Sequence, residues 1–142
     1  MKSKKQSTRP WLPFLIYCGW MLILLFDREQ AEQSINLEPL HTIRLFVRVL
    51  LYDPNPYNMR LAIVNLFGNI LLFIPLGYFL PELWKSLRKW WKTWLATLAI
   101  MTSVELIQLF TLRGTCDVDD LILNLLGAAI GYGIFCIWKK DR

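Results

Sequence analysis

The sequence predicts an all-α, polytopic membrane protein with four transmembrane helices and a short interfacial helix. Three observations carry that prediction. Of its 142 residues, 55% are hydrophobic and the mean hydropathy is +0.36. The apolar residues gather into four blocks, which argues for a membrane protein rather than a soluble core. Finally, acids and bases segregate between alternate connections, and tryptophan collects on one side.

The blocks are Trp11–Phe26, Leu61–Leu80, Trp94–Leu112 and Leu121–Trp138. At 1.5 Å rise per residue, about 20 residues cross the hydrocarbon layer. The second and third blocks fit well and the fourth is slightly short. The first is the shortest, so Arg9 and Arg28 are expected to snorkel at its ends. Phe26 to Ala31 contains no small-x-small cleavage site, so this block reads as an uncleaved anchor. Residues 1–9 form a polar, basic tail, and 10–142 a single membrane domain. Cys18 lies mid-span, Cys116 outside and Cys136 near the inner end, a spacing that argues against a structural disulfide.

The net charge of +5 raises nucleic acid as a partner, but its distribution argues against one. Lys2, Lys4, Lys5 and Arg9 precede the first span. Lys85, Arg88, Lys89 and Lys92 separate the second from the third, and Lys139, Lys140 and Arg142 follow the fourth. The other connections hold Asp27, Glu29, Glu32, Glu38 and Asp53, then Asp117, Asp119 and Asp120. This is the positive-inside pattern with both termini cytoplasmic. Trp11, Trp84, Trp90, Trp91, Trp94 and Trp138 fall at the same inner interface; Trp20 does not.

The connection from Asp27 to Arg60 is long enough to have structure of its own. Ile43–Tyr52 is apolar except for Arg44 and Arg48, which share one helical face. It predicts a short helix in the outer interface with guanidiniums toward phosphates, ended by a turn at Asp53-Pro54-Asn55-Pro56. Within the second span, Pro75 and Gly77 predict a bend.

Polar residues inside the spans mark the candidate site. A charged Glu105 at mid-depth costs about 2.5–3.5 kcal/mol, so such residues usually face a protein interior or wet cavity. With this topology Asn65 and Asn69 lie roughly 6 and 12 Å from the outer end of their span. Glu105 lies roughly 10–11 Å below the outer end of the third span, and Gln108 roughly 6 Å below it. Asp117 and Asp120 stand at the outer start of the fourth, with Asn124 one turn in. Each set shares a helical face, and the last continues as Gly127 and Gly131, a seam of small residues for close packing.

The expected pocket is net acidic. Arg113 is the base beside Glu105, Asp117, Asp119 and Asp120, unless Arg44, Arg48 or Arg60 folds over it. Such a pocket suits a hard cation, an amine or a partner arginine. No cofactor is expected, although Glu105, Asp117 and Asp120 are compatible with a divalent cation. Structural roles stand beside these readings. One of the acids suits helix N-capping, and the amides suit hydrogen bonds between helices. No activated nucleophile is evident, and His41 stands alone.

The run Asn69-Ile70-Leu71-Leu72-Phe73-Ile74-Pro75-Leu76-Gly77 is followed by Glu105-x-x-Gln108, Arg113-Gly114-x-x-Asp117-x-x-Asp120 and Asn124-x-x-Gly127. In this order and spacing they resemble the VanZ-like family of small bacterial membrane proteins. Asn36-Leu37-x-Pro39 with Thr42-Ile43 is similar to that family's first outer loop. Members are linked to low-level resistance to the lipoglycopeptide teicoplanin. The resemblance implies a multi-pass protein of the bacterial plasma membrane that lowers sensitivity to this drug, and it implies no reaction. The expected partners are the bilayer and either a lipid-linked cell-wall precursor or the drug, with Glu105, Asp117 and Asp120 in recognition. The alternatives are an enzyme acting on a lipid head group and a small assembly subunit. Oligomeric state is left open.

Overall fold

A computed structural model describes residues 10–26, 35–36, 38–52, 55–111 and 116–140, with backbone alone at 35–36 and 116–117. The basic tail, the turn at Asp53-Pro54 and the Arg113 part of the expected pocket lie outside the described residues, as does the side chain of Asp117.

The architecture is all-α. Four apolar helices are α1 (Trp11–Phe26), α3 (Pro56–Leu83), α4 (Trp90–Thr111) and α5 (Val118–Lys140), with α2 (His41–Tyr52) between the first two. Helices α3, α4 and α5 are each long and apolar enough to cross a membrane. Helix α1 has 16 residues, about 24 Å of rise; a short helix of this kind is accommodated by snorkelling flanks or a thinned bilayer. The chain is a multi-pass membrane protein. One minimal parallel pairing joins β1 (Ile35–Asn36) to β2 (Cys116–Asp117), drawing the segment before α2 beside the start of α5.

The helices extend beyond the apolar blocks. Helix α3 starts at Pro56 rather than Leu61, because Asn55 caps it, accepting from Tyr57 N at 3.0 Å, and Pro56 occupies the first turn. That turn has no use for the N–H a proline lacks. The same helix runs on to Leu83 through both Pro75 and Pro81. Near Pro75 the Tyr17 hydroxyl of α1 donates to Leu72 O at 2.8 Å. That carbonyl adjoins the one Pro75 leaves without its helical donor.

Helices α3 and α5 meet at their backbones. A Cβ added at Gly77 would stand 2.0 Å from Ala128 O; at Gly127, 2.1 Å from Ile70 O; at Gly131, 1.9 Å from Ile74 O. Gly127 and Gly131 are the expected packing seam. Gly77 joins it from the opposite helix, so its role is close approach as well as any bend. Beside this crossing, Met21, Leu25, Phe73, Leu76, Leu80, Met101 and Val104 form the apolar core. At one end the Trp11 and Trp84 rings meet edge-to-face at 5.1 Å, with Trp90 and Trp94 at 5.9 Å. The other end carries α2 and the start of α5.

Candidate functional site

Helix α2 is fastened to that second end by a carboxylate. Asp119, in the first turn of α5 and 2% exposed, accepts from Leu40 N at 2.5 Å and Thr42 N at 2.6 Å. Leu40 has φ 66, a left-handed conformation that costs a non-glycine residue roughly 1–2 kcal/mol. The two charge-assisted bonds hold the chain in that conformation. Capping by one of the acids at the start of α5 is therefore present, but the helix it serves is α2.

The next residue faces the bundle. Asn69 Nδ2 on α3 donates to Asp120 Oδ1 on α5. Adjacent carboxylates thus clamp two different helices. One turn further along α5, buried Asn124 turns its amide Nδ2 to Met101 Sδ on α4, at 3.6 Å. Its Oδ1, like buried Thr97 Oγ1, has no hydrogen-bond partner among the described residues. Such enclosed polar atoms carry a desolvation cost of about 1–3 kcal/mol each.

On α4, Glu105 is half-buried with Oε2 fully enclosed. Gln108 is buried and donates from Nε2 to Leu25 O at 2.7 Å. Leu25 lies in the last turn of α1, where carbonyls have no helical donor. Gln108 therefore serves as a C-terminal cap for α1, supplied by a neighbouring helix.

The polar residues expected in one pocket thus divide. Asn69 and Asp120 come together directly. Asn124 stands one turn below Asp120 and faces α4, whereas Gln108 faces α1. Asn65 is exposed and lines a groove of about 520 Å³ between α1 and α3, with Leu24, Leu25, Gly68, Asn69 and Leu72. A Cβ on Gly68 would meet only Val64 Cγ1, at 3.9 Å, so the glycine keeps this groove wide. Its walls are chiefly apolar and its polar groups are amides, with the Asp120 carboxylate joined to Asn69 behind. Such a cleft suits a chain-like apolar ligand with a polar head. Among the described residues no three His, Cys, Asp or Glu side chains are grouped to hold a metal ion.

Several contributors were not evident from sequence. Asp119 as the clamp of α2 and the Leu25 carbonyl as a partner of Gln108 both depend on which helices are neighbours. The buried threonines left a signal: Thr93, Thr97, Met101 and Glu105 recur at every fourth residue, one continuous face of α4.

The family model described as VanZ/LLP1 matches residues 13–139. No curated protein and no solved structure matches the chain.

Proposed function

This chain belongs to the VanZ/LLP1 family, and from that premise we propose that it lowers bacterial sensitivity to teicoplanin at the outer face of the plasma membrane. It does so by binding a lipid-linked cell-wall component or the drug in the groove between α1 and α3. Asn65, Asn69 and Asp120 contact or orient the polar head, and Glu105 adds a further carboxyl on α4. Both termini are cytoplasmic in this reading. Its support is the basic, tryptophan-rich character of the end opposite α2, where cations and indoles favour the inner interface.

The observation that carries the proposal is the groove itself. Its walls are chiefly apolar, it is kept open at Gly68, and it is backed by the Asn69–Asp120 pair. A ligand moving within the leaflet would enter it sideways.

A second reading, a small assembly subunit, is favoured by one observation. Asp119, Gln108 and Asn69 already spend hydrogen bonds on holding helices together.

Resistance measured against membrane abundance separates the two. Asn65→Leu, Asn69→Leu, Asp120→Asn, Glu105→Gln and Arg113→Ala are expected to bring teicoplanin sensitivity close to that of cells lacking the gene. Asn65→Leu and Asp120→Asn are expected to do so at unchanged abundance. Full resistance in both at normal abundance would sink the groove as the site. Lost resistance only in step with lost protein would support the assembly reading.

A further inference from the structure

In the topology proposed above, helix α2 carries two arginines on the side where a membrane protein gains nothing topologically from cations. Positive charge is favoured in cytoplasmic connections, so Arg44 and Arg48 on the opposite side call for another reason. Their surroundings offer one. Thr42 and Val49 are buried, and Phe46 meets Phe67 of α3 edge-to-face at 6.0 Å. That side anchors α2 to the bundle. Both arginines are exposed, as are Ile43, Val47, Leu50 and Leu51. A groove of about 560 Å³ runs along the helix, lined by Ile43, Arg44, Val47, Arg48 and Tyr52.

These residue types fit the two halves of one ligand. Residues four apart on a helix have Cβ atoms about 5–6 Å apart, a spacing from which two guanidinium forks can converge on a single phosphate, an anion that arginine binds in bidentate fashion. Ile43 and Val47 form an apolar strip beside them and suit the acyl boundary, where amphipathic helices lie. Tyr52 ends the helix with a ring suited to the head-group level. A soluble phosphate would use the arginines and leave the apolar wall idle. A neutral lipid would use the wall and leave two cations unmatched.

We propose that α2 is a cradle for an anionic phospholipid, its phosphate held by Arg44 and Arg48 and its chain laid along Ile43 and Val47. The site is distinct from the α1–α3 groove. It rests on the proposed function only for the leaflet from which the lipid is drawn. Asp119 fixes the cradle to α5, next to the residue that holds Asn69, so the two sites share one anchor.

The test uses the full chain purified in a neutral detergent, with bound lipid counted by native mass spectrometry and fold monitored by thermal melting. The probes are phosphatidylglycerol, phosphatidylcholine and inorganic phosphate. Phosphatidylglycerol is expected to be retained, and R44Q/R48Q to weaken retention about tenfold or more, from the loss of charge-assisted bonds. Ile43→Ser with Val47→Ser should weaken it with the charges in place. K85Q/K89Q at the opposite end should leave most of it. Because the arginines are exposed, R44Q/R48Q should melt like the wild type.

Equal retention by R44Q/R48Q, or equal retention of phosphatidylcholine by the wild type, would overturn the proposal. So would displacement of the lipid by millimolar inorganic phosphate, which would make the site an ion site only. Loss in K85Q/K89Q with retention in R44Q/R48Q would place the lipid at the other face and equally overturn it. No antibiotic enters this assay, so its outcome is independent of whether the groove governs resistance.

Discussion

Gly131→Leu is expected to abolish accumulation of the folded protein, and Gly131→Ala to reduce it sharply. The Cβ of an alanine would stand 1.9 Å from Ile74 O and 2.9 Å from Tyr78 N. Both are backbone atoms of a helix, so no side-chain rotation relieves the overlap. Helices α3 and α5 must move apart, and the contact at Gly127 and Gly77 opens with them. Overpacking of this kind typically costs about 1–3 kcal/mol, occasionally more, against a total stability of roughly 5–15 kcal/mol. Leucine drives the helices further apart and forfeits most of the close packing that associates helices in lipid. The check is the yield of monodisperse protein and its melting temperature in detergent. Gly133→Ala is the control: nothing lies within 4 Å of its Cβ, and alanine favours the helix. Equal behaviour of the two alanine variants would mean that α3 and α5 do not cross here.

Asp119→Ala is expected to detach α2. Two backbone N–H groups, at Leu40 and Thr42, would lose their acceptor, with Thr42 buried. Hydrogen bonds to charged groups contribute about 1.5–3 kcal/mol each, so the combined loss is about 3–6 kcal/mol before solvent recovers part of it. Release of the left-handed Leu40 offsets roughly 1–2 kcal/mol. The expected result is a lower melting temperature with faster proteolysis near residues 38–52, while α3, α4 and α5 keep their helical signal. Asp119→Asn keeps one acceptor oxygen and should lose less. Wild-type melting and wild-type proteolysis in Asp119→Ala would contradict the clamp.

The membrane architecture was legible because it depends on local signals. Apolar blocks reveal spans, and the small residues at Gly127 and Gly131 reveal a packing face. Ile43–Tyr52 was legible for the same reason, as apolar residues interrupted by two arginines one turn apart. Helix ends were harder. Asn55-Pro56 is a capping pair followed by a first-turn proline, yet the apolar block starts only at Leu61, after Arg60. Partners across the bundle were not legible. Periodicity puts Gln108 on a face of α4 but does not say that α1 lies there, and its bond to Leu25 O spans 83 residues of sequence. The sequence offers three acids for capping at the start of α5, and nothing in it singles out Asp119 as the clamp of α2. Its bond to Leu40 N spans 79 residues, and it exists because the β1–β2 pairing draws the two segments together. Depth along the helices groups Asn69 with Asp120, to which it donates, and with Asn65, which shares its groove, but it also groups them with Gln108, which faces α1.

In the proposed function the α1–α3 groove opens to the outside of the cell beside the Asn69–Asp120 pair. Asn65, exposed in its wall, is the position to probe. In a background with Cys18, Cys116 and Cys136 changed to serine, Asn65→Cys should react with a membrane-impermeant maleimide added to intact cells, and bulky modification there should raise teicoplanin sensitivity. Labelling that appears only after the cells are permeabilised would put the groove on the wrong side of the membrane and contradict the account.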